Sequence, residues 1–184
     1  MHESKLFTGR PEKGSRTEAE ERSYDLLDSL GISFTRVDHA LAMSMADLNE
    51  ADRLLGCTIA KNLFLTNRQQ TDFYLLIMPG NKPFKTKYLS AQLGCSRLSF
   101  ASEEHLEALL GVKSGSASLM GLMNDNEKKV RLVFDREILA EKLFACHPCI
   151  NTSSIAFSTE EMLKKLLPAL EREYTAVEMP WEFE

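Results

Sequence analysis

The stretch Thr58–Met78, TIAKNLFLTNRQQTDFYLLIM, decides the fold. Two runs rich in β-branched, aromatic and aliphatic residues are separated by the polar segment Asn67–Asp72, the pattern of a β-hairpin. Both runs are apolar enough to lie at the centre of a sheet rather than at its edge. Within the first run, alternation places Lys61, Leu63 and Leu65 on one face and Asn62 and Phe64 on the other. A lysine in such a run is costly unless its ammonium reaches water, an anion or a carboxylate. Lys61 is therefore either an edge lysine reaching solvent or a group with a phosphate or hydroxyl partner.

Short helical patterns flank this hairpin. Thr17-x-x-Glu20 has the spacing of a capping box, and Tyr24, Leu26, Leu27 and Leu30 supply an apolar face before Gly31. The segment 32–39 reads as a strand and 45–56 as a short helix stopped by Gly56. Pro79, Gly80 and Pro83 mark a loop. Two helices closed by glycine follow, the second opened by Ser102 with Glu103 and Glu104 in its first turn, where the helix dipole favours them. Residues 115–135 read as a loop, a strand, an Asn-Asp-Asn turn and a second strand. Ser153–Ser158 reads as a strand, and Ser158-x-x-Glu161 opens a helix with Met162, Leu163, Leu166, Leu167 and Leu170 as its apolar stripe. Irregular alternation with hairpins predicts a single α+β domain with a mixed β-sheet surrounded by short helices, not a doubly wound layout. Residues 1–16 are expected to be a flexible lead-in, 17–178 the domain and 179–184 a tail.

The 184 residues, 43% hydrophobic, suffice for one core. There is no apolar run long enough to span a membrane and no signal-like N-terminus, so no membrane association is expected. Four cysteines in that context point to free thiols in a reducing cytoplasm. The net charge is −5, yet residues 61–97 carry Lys61, Arg68, Lys82, Lys85, Lys87 and Arg97 against Asp72 alone. That local basic patch suits phosphate binding, although a solvated lysine-rich loop has the same composition.

Besides the Lys61 run, two motifs bear on chemistry. Cys146-His147-Pro148-Cys149 has redox spacing, but a working dithiol places its first cysteine at a helix N-terminus, and the residues that follow read as a strand. Zinc binding would need more ligands than Cys57 and Cys95, which stand alone, can add. Nucleophilic catalysis by either thiol with His147 is a further reading, and two small buried thiols the plain one. Lys113–Ser118, KSGSAS, is a small-residue loop whose amides could meet an anion or oxyanion. It lacks the spacing of a P-loop, and loops of this composition are commonly only turns.

Together these stretches resemble one family, the YbaK-like domains related to the editing insertion of bacterial prolyl-tRNA synthetase. The resemblance runs from about Thr17 to about Leu170 through RTEAEERSYDLLDSLGI, KNLFLTNRQQTDFYLLIMPGNKPFKTKYLS, RLSFASEEHL, GSASLMGLMND and CHPCINTSSI. Within the family the chain is most similar to free-standing prolyl-tRNA editing proteins, which remove alanine from mischarged tRNA(Pro). The resemblance implies catalytic roles for Lys61 and His147, with Lys61 engaging the terminal adenosine. It implies substrate-binding roles for Asn62, Gly115, Ser116, Ala117, Ser118, Asn151 and His39. The chain departs from the pattern at Ser114 and Leu119, where many relatives carry proline. The implied partner is the acceptor end of tRNA, with prolyl-tRNA synthetase as a further one; no cofactor or metal is implied. The expected activity is hydrolysis of the ester of Ala-tRNA(Pro). The alternatives are a deacylase for another misacylated tRNA, such as Cys-tRNA(Pro), and a non-catalytic module binding an amino acid or nucleotide.

Overall fold

The computed structural model describes residues 4–184. Its elements, in chain order, are β1 (Leu6–Thr8), α1 (Glu18–Ser29), β2 (Phe34–Asp38), a 3-10 turn (Met45–Leu48), α2 (Asn49–Leu55), β3 (Lys61–Thr66) and β4 (Phe73–Met78). There follow α3 (Thr86–Leu93), β5 (Ser99–Phe100), α4 (Glu103–Leu110), a 3-10 helix (Leu119–Asn124), β6 (Val130–Asp135), α5 (Arg136–Ala140) and β7 (Leu143–Cys146). The chain closes with β8 (Ser153–Ser158), a helical segment over 159–169 and β9 (Tyr174–Val177).

The α+β class holds, but the strands divide into two sheets where the sequence suggested one. The first, β1-β2-β8-β7, is antiparallel throughout; the second, β5-β3-β4-β6-β9, is mixed, with β4-β6 and β6-β9 parallel. The hairpin forms as the alternation requires, Lys61 opposite Met78 and Thr66 opposite Phe73. Phe64, Phe73, Leu75 and Ile77 face a core shared with Phe34, Phe144, Ile155 and Phe157 of the first sheet. Leu65, Tyr74, Leu76 and Met78 face the opposite side, where Leu89 of α3 covers them. On the outer face of the first sheet, Val37, Ala145 and Ala156 pack against Leu48, Ala51 and Leu55. The layers run α2, sheet, core, sheet, α3. Phe134, fully buried in the central core, is a position where truncation to alanine costs about 3–5 kcal/mol.

Local chemistry explains most boundaries. Thr17 and Glu20 close the capping box of α1, Ser102 caps α4 through the His105 amide, and Gly56, Gly94 and Gly111 end their helices in the left-handed conformation. The helix at 159–169 contains a π turn (Met162–Leu166), through which the Leu167 N–H reaches the Met162 carbonyl just before Pro168. Proline cannot donate to the preceding turn, and the widened turn accommodates that loss.

Three expectations change. Residues 119–124, read as a strand, form a 3-10 helix. Its backbone is held from outside: Asn124 Nδ2 donates to the Leu110 carbonyl, and Gly121 lies so close to α4 that a Cβ would sit 2.9 Å from the Leu110 oxygen. The lead-in expected over 1–16 contains a strand, β1, that pairs with β2; residues 1–3 lie outside the described residues. Lys82, grouped with the basic patch, is fully buried between Asp135 (2.8 Å) and Glu137 (2.9 Å). The tail at 179–184 packs over this pair: the Trp181 indole N–H donates to Glu137, Phe183 stacks on Tyr88, and the Met179 amide donates to Asp135.

Candidate active site

Lys61 begins β3 and is half-buried. Its ammonium donates to the Lys82 carbonyl at 2.6 Å, and burial lowers its pKa below the usual lysine value. With the Lys82 ammonium held by carboxylates, Lys61 is the amine of this region that faces an open cavity. Asn62, one residue on and therefore on the opposite face of β3, ties two strands of chain together. Its Nδ2 donates to the Ala60 carbonyl and its Oδ1 accepts the Leu119 N–H at 3.0 Å.

That bond anchors the small-residue loop. Gly115 has φ +81°, and a Cβ there would stand 3.0 Å from Asn151 Nδ2, so both conformation and space call for glycine. The Ser116 amide donates to the Lys113 carbonyl within the loop, and Leu119 donates to Asn62. Among the described residues the amides of Gly115 and Ala117, two residues that line the cavity Lys61 faces, have no acceptor within the protein. Ser118 itself is fully buried; its hydroxyl donates to the His147 carbonyl at 2.5 Å and accepts the Met120 amide.

His147 follows β7. Its Nδ1 lies 2.8 Å from the Ser153 carbonyl, which only accepts, so Nδ1 carries the proton and Nε2 bears the lone pair. Burial, opposed by the bond to Ser153, lowers its pKa to about 4, so the ring is neutral at physiological pH. His39 sits 5.9 Å away, ring to ring. Its Nδ1 meets the Ala40 carbonyl and its Nε2 the Ser154 hydroxyl, which also lies 3.2 Å from His147 Nδ1.

Lys61, Asn62, Gly115, Ala117 and His147 line one cavity of about 360 Å³, at the small end of ligand sites. His39, Ser116, Ser118 and Asn151 are not part of its lining. Asn151 is buried, and its Nδ2 donates to the Ala42 carbonyl, tying the chain after His39 to the loop that follows His147. Ser114, singled out in the sequence as a departure from the family pattern, also lines the cavity; the sequence reading missed the apolar part of the lining, Met45, Leu48, Ala60, Leu63, Phe64, Phe100, Ala101 and Leu106. Their only signal was membership of apolar runs, which also describes ordinary core residues. A second cavity of about 340 Å³ lies beyond Ala60, between β7, α5 and Trp181, and holds none of the candidate residues.

Burial denies the CHPC thiols the setting that favours a reactive thiolate. All four cysteines are free, and Cys146 and Cys149 are buried. Desolvation raises Cys146 to about 12 and Cys149 to about 11, so thiolate is scarce near neutrality. Among the described residues no cluster of three His, Cys, Asp or Glu side chains is arranged for a metal, and no helix is long and apolar enough to cross a membrane.

Comparison with known proteins identifies the family. Residues 39–165 match the family model of the aminoacyl-tRNA editing domain. The chain is 30% identical over 153 residues to the prolyl-tRNA editing protein ProX of Acetoanaerobium sticklandii, covering 83% of this chain and 93% of that one. It is 27% identical to the prolyl-tRNA synthetase associated domain-containing protein 1 of Danio rerio, over 77% of this chain and 78% of that one. In fold it is similar to a crystal structure described as a candidate trans-editing enzyme for prolyl tRNA synthetase, with a TM-score of 0.66 at 16% identity over 90% of this chain and 98% of the other. The chain belongs to the family of aminoacyl-tRNA editing domains.

Proposed function

We propose that the chain is a trans-acting deacylase that hydrolyses the ester of mischarged tRNA(Pro), with alanine as the acyl group. The observation that carries this reading is the convergence of a half-buried amine, a turn with free amides and a neutral imidazole on one small cavity. The name of the ProX relative supports tRNA(Pro) as the carrier.

An aminoacyl ester on a ribose is already activated. Its hydrolysis calls for a positioned water, donors for the developing oxyanion and exclusion of the wrong acyl group; a side-chain nucleophile is not required. Lys61 keeps ammonium protons beyond the one given to Lys82 and offers them to the terminal nucleotide. The amides of Gly115 and Ala117 are the donors offered to the oxyanion. With a pKa of about 4, His147 is a weak base; its Nε2 lone pair instead accepts from the attacking water or the vicinal ribose hydroxyl and fixes its direction. Prolyl-tRNA synthetase (implied as a partner by the resemblance) would supply the substrate. A pocket built for proline rejects alanine weakly, since missing methylenes forfeit only about 1–3 kcal/mol. A second, tighter cavity corrects the error by admitting alanine and excluding proline.

The test is a panel of tRNA(Pro) charged with alanine, cysteine, serine or proline. Alanine should be released fastest and proline spared. Rapid loss of proline, or no hydrolysis from any member, rejects the reading, and preference for cysteine reassigns the substrate. Binding without single-turnover hydrolysis would make the protein a binding module.

A further inference from the structure

Phe100 is 61% exposed, although it lines the same cavity as Lys61 and His147. It ends β5, the two-residue edge strand of the mixed sheet, opposite Leu65. Its ring is not loose. Phe84 packs against it at a steep angle (6.0 Å between centroids, 65° between planes), which steadies the ring and leaves much of it open. Phe84 belongs to the same loop as Lys82, whose carbonyl receives the Lys61 ammonium. One loop therefore sets both the cation and the aromatic at the cavity mouth. Cations stand along the chain near these groups: Arg97 three residues before Phe100 and Lys113 two residues before Gly115, while Lys85, next to Phe84, sets its ammonium over the Phe183 ring. None of the three has a carboxylate within salt-bridge distance among the described residues.

An open aromatic ring with cations nearby along the chain suits single-stranded nucleic acid, whose bases stack on such rings while cations follow the phosphates. The geometry of an aminoacyl nucleotide narrows this further. The ester and the base are carried by the same ribose, so an acyl group seated within the cavity leaves the terminal base at its mouth. We infer that Phe100, steadied by Phe84, is the stacking platform for the terminal nucleobase of the acylated RNA. This rests on the deacylase reading of the cavity and adds a positioning residue to it. Phe100 touches no reacting atom; it sets where the ester lies.

The test uses the full chain and two uncharged RNA minihelices of the tRNA(Pro) acceptor stem, one ending in adenosine and one with an abasic terminal ribose. The wild type should bind the adenosine-ended RNA about tenfold more tightly, the worth of one stacked base. Phe100→Ala and Phe100→Leu should bind both RNAs alike, and Phe100→Trp should keep the preference. A role in packing alone would weaken both RNAs equally and leave the ratio intact. The inference is overturned if the wild type shows no preference for the base, or if Phe100→Ala retains it. Failure of the functional reading shows separately, as absent hydrolysis of charged tRNA by the wild type.

Discussion

The side-chain oxygen of Asn62 accepts the backbone N–H of Leu119 at 3.0 Å, joining β3 to the start of the 3-10 helix that follows the small-residue loop. Ser118 caps the next amide of that helix, that of Met120, so two side chains satisfy donors that the helix itself cannot. Proline, common at this position in the pattern the chain resembles, would have no N–H to give. Asn62→Ala leaves the Leu119 donor without its partner. It should destabilise the protein by about 1–3 kcal/mol in chemical denaturation, and lower deacylation by loosening the turn that carries Gly115.

His147 should titrate far below an ordinary histidine, with a midpoint near 4, and its neutral ring should show the Nδ1–H tautomer by nitrogen-detected NMR. The folded pKa lies below the unfolded value of about 6.5, so the unfolded chain binds the proton first. The resulting stability is complete above pH 6.5 and is lost as pH falls through 4, an effect of about 3 kcal/mol at most. A midpoint near 6.5 would place the ring in open solvent and contradict the site.

The CHPC spacing predicts dithiol chemistry only if a thiolate forms. With the two thiols raised to about 12 and 11, both should react slowly with a thiol reagent at pH 8 in the folded protein. Cys146→Ala with Cys149→Ala should retain most deacylation once any loss of stability is allowed for. A folded but inactive double variant would return the reaction to the cysteines.

Lys82 is predicted to act on stability. Lys82→Met removes the charge facing buried Asp135 and should cost about 3–5 kcal/mol in denaturation. The fraction that remains folded should still hydrolyse substrate, because the Lys61 contact is to the Lys82 backbone carbonyl, which methionine preserves.

The parts of the fold legible in the sequence are those set by short-range chemistry. The hairpin followed from alternation around a polar turn, and α1 and α4 from their caps. The 3-10 helix at 119–124 was not legible, because Asn62 and Leu110, far away in sequence, dictate its backbone. β1 and β9 were missed because pairing with β2 and β6 makes them strands; β1 is exposed and β9 nearly so, and neither carries an apolar stripe. At the site, residue types alone left Lys61 and the KSGSAS loop open to ordinary readings, and the resemblance drew them together. Neither source distinguished lining from bracing. Whether Asn62 or Asn151 faces the cavity depends on strand face and turn geometry, which the structure supplies.

The central claim is that the cavity bounded by Lys61, the Gly115 turn and His147 is where the ester is cleaved. Single-turnover deacylation of Ala-tRNA(Pro) by the wild type and by Lys61→Ala, with folding of the variant checked by circular dichroism, tests it most directly. The account predicts rapid release of alanine by the wild type and loss of nearly all of that rate in a folded Lys61→Ala variant. An undiminished rate in the variant would contradict it.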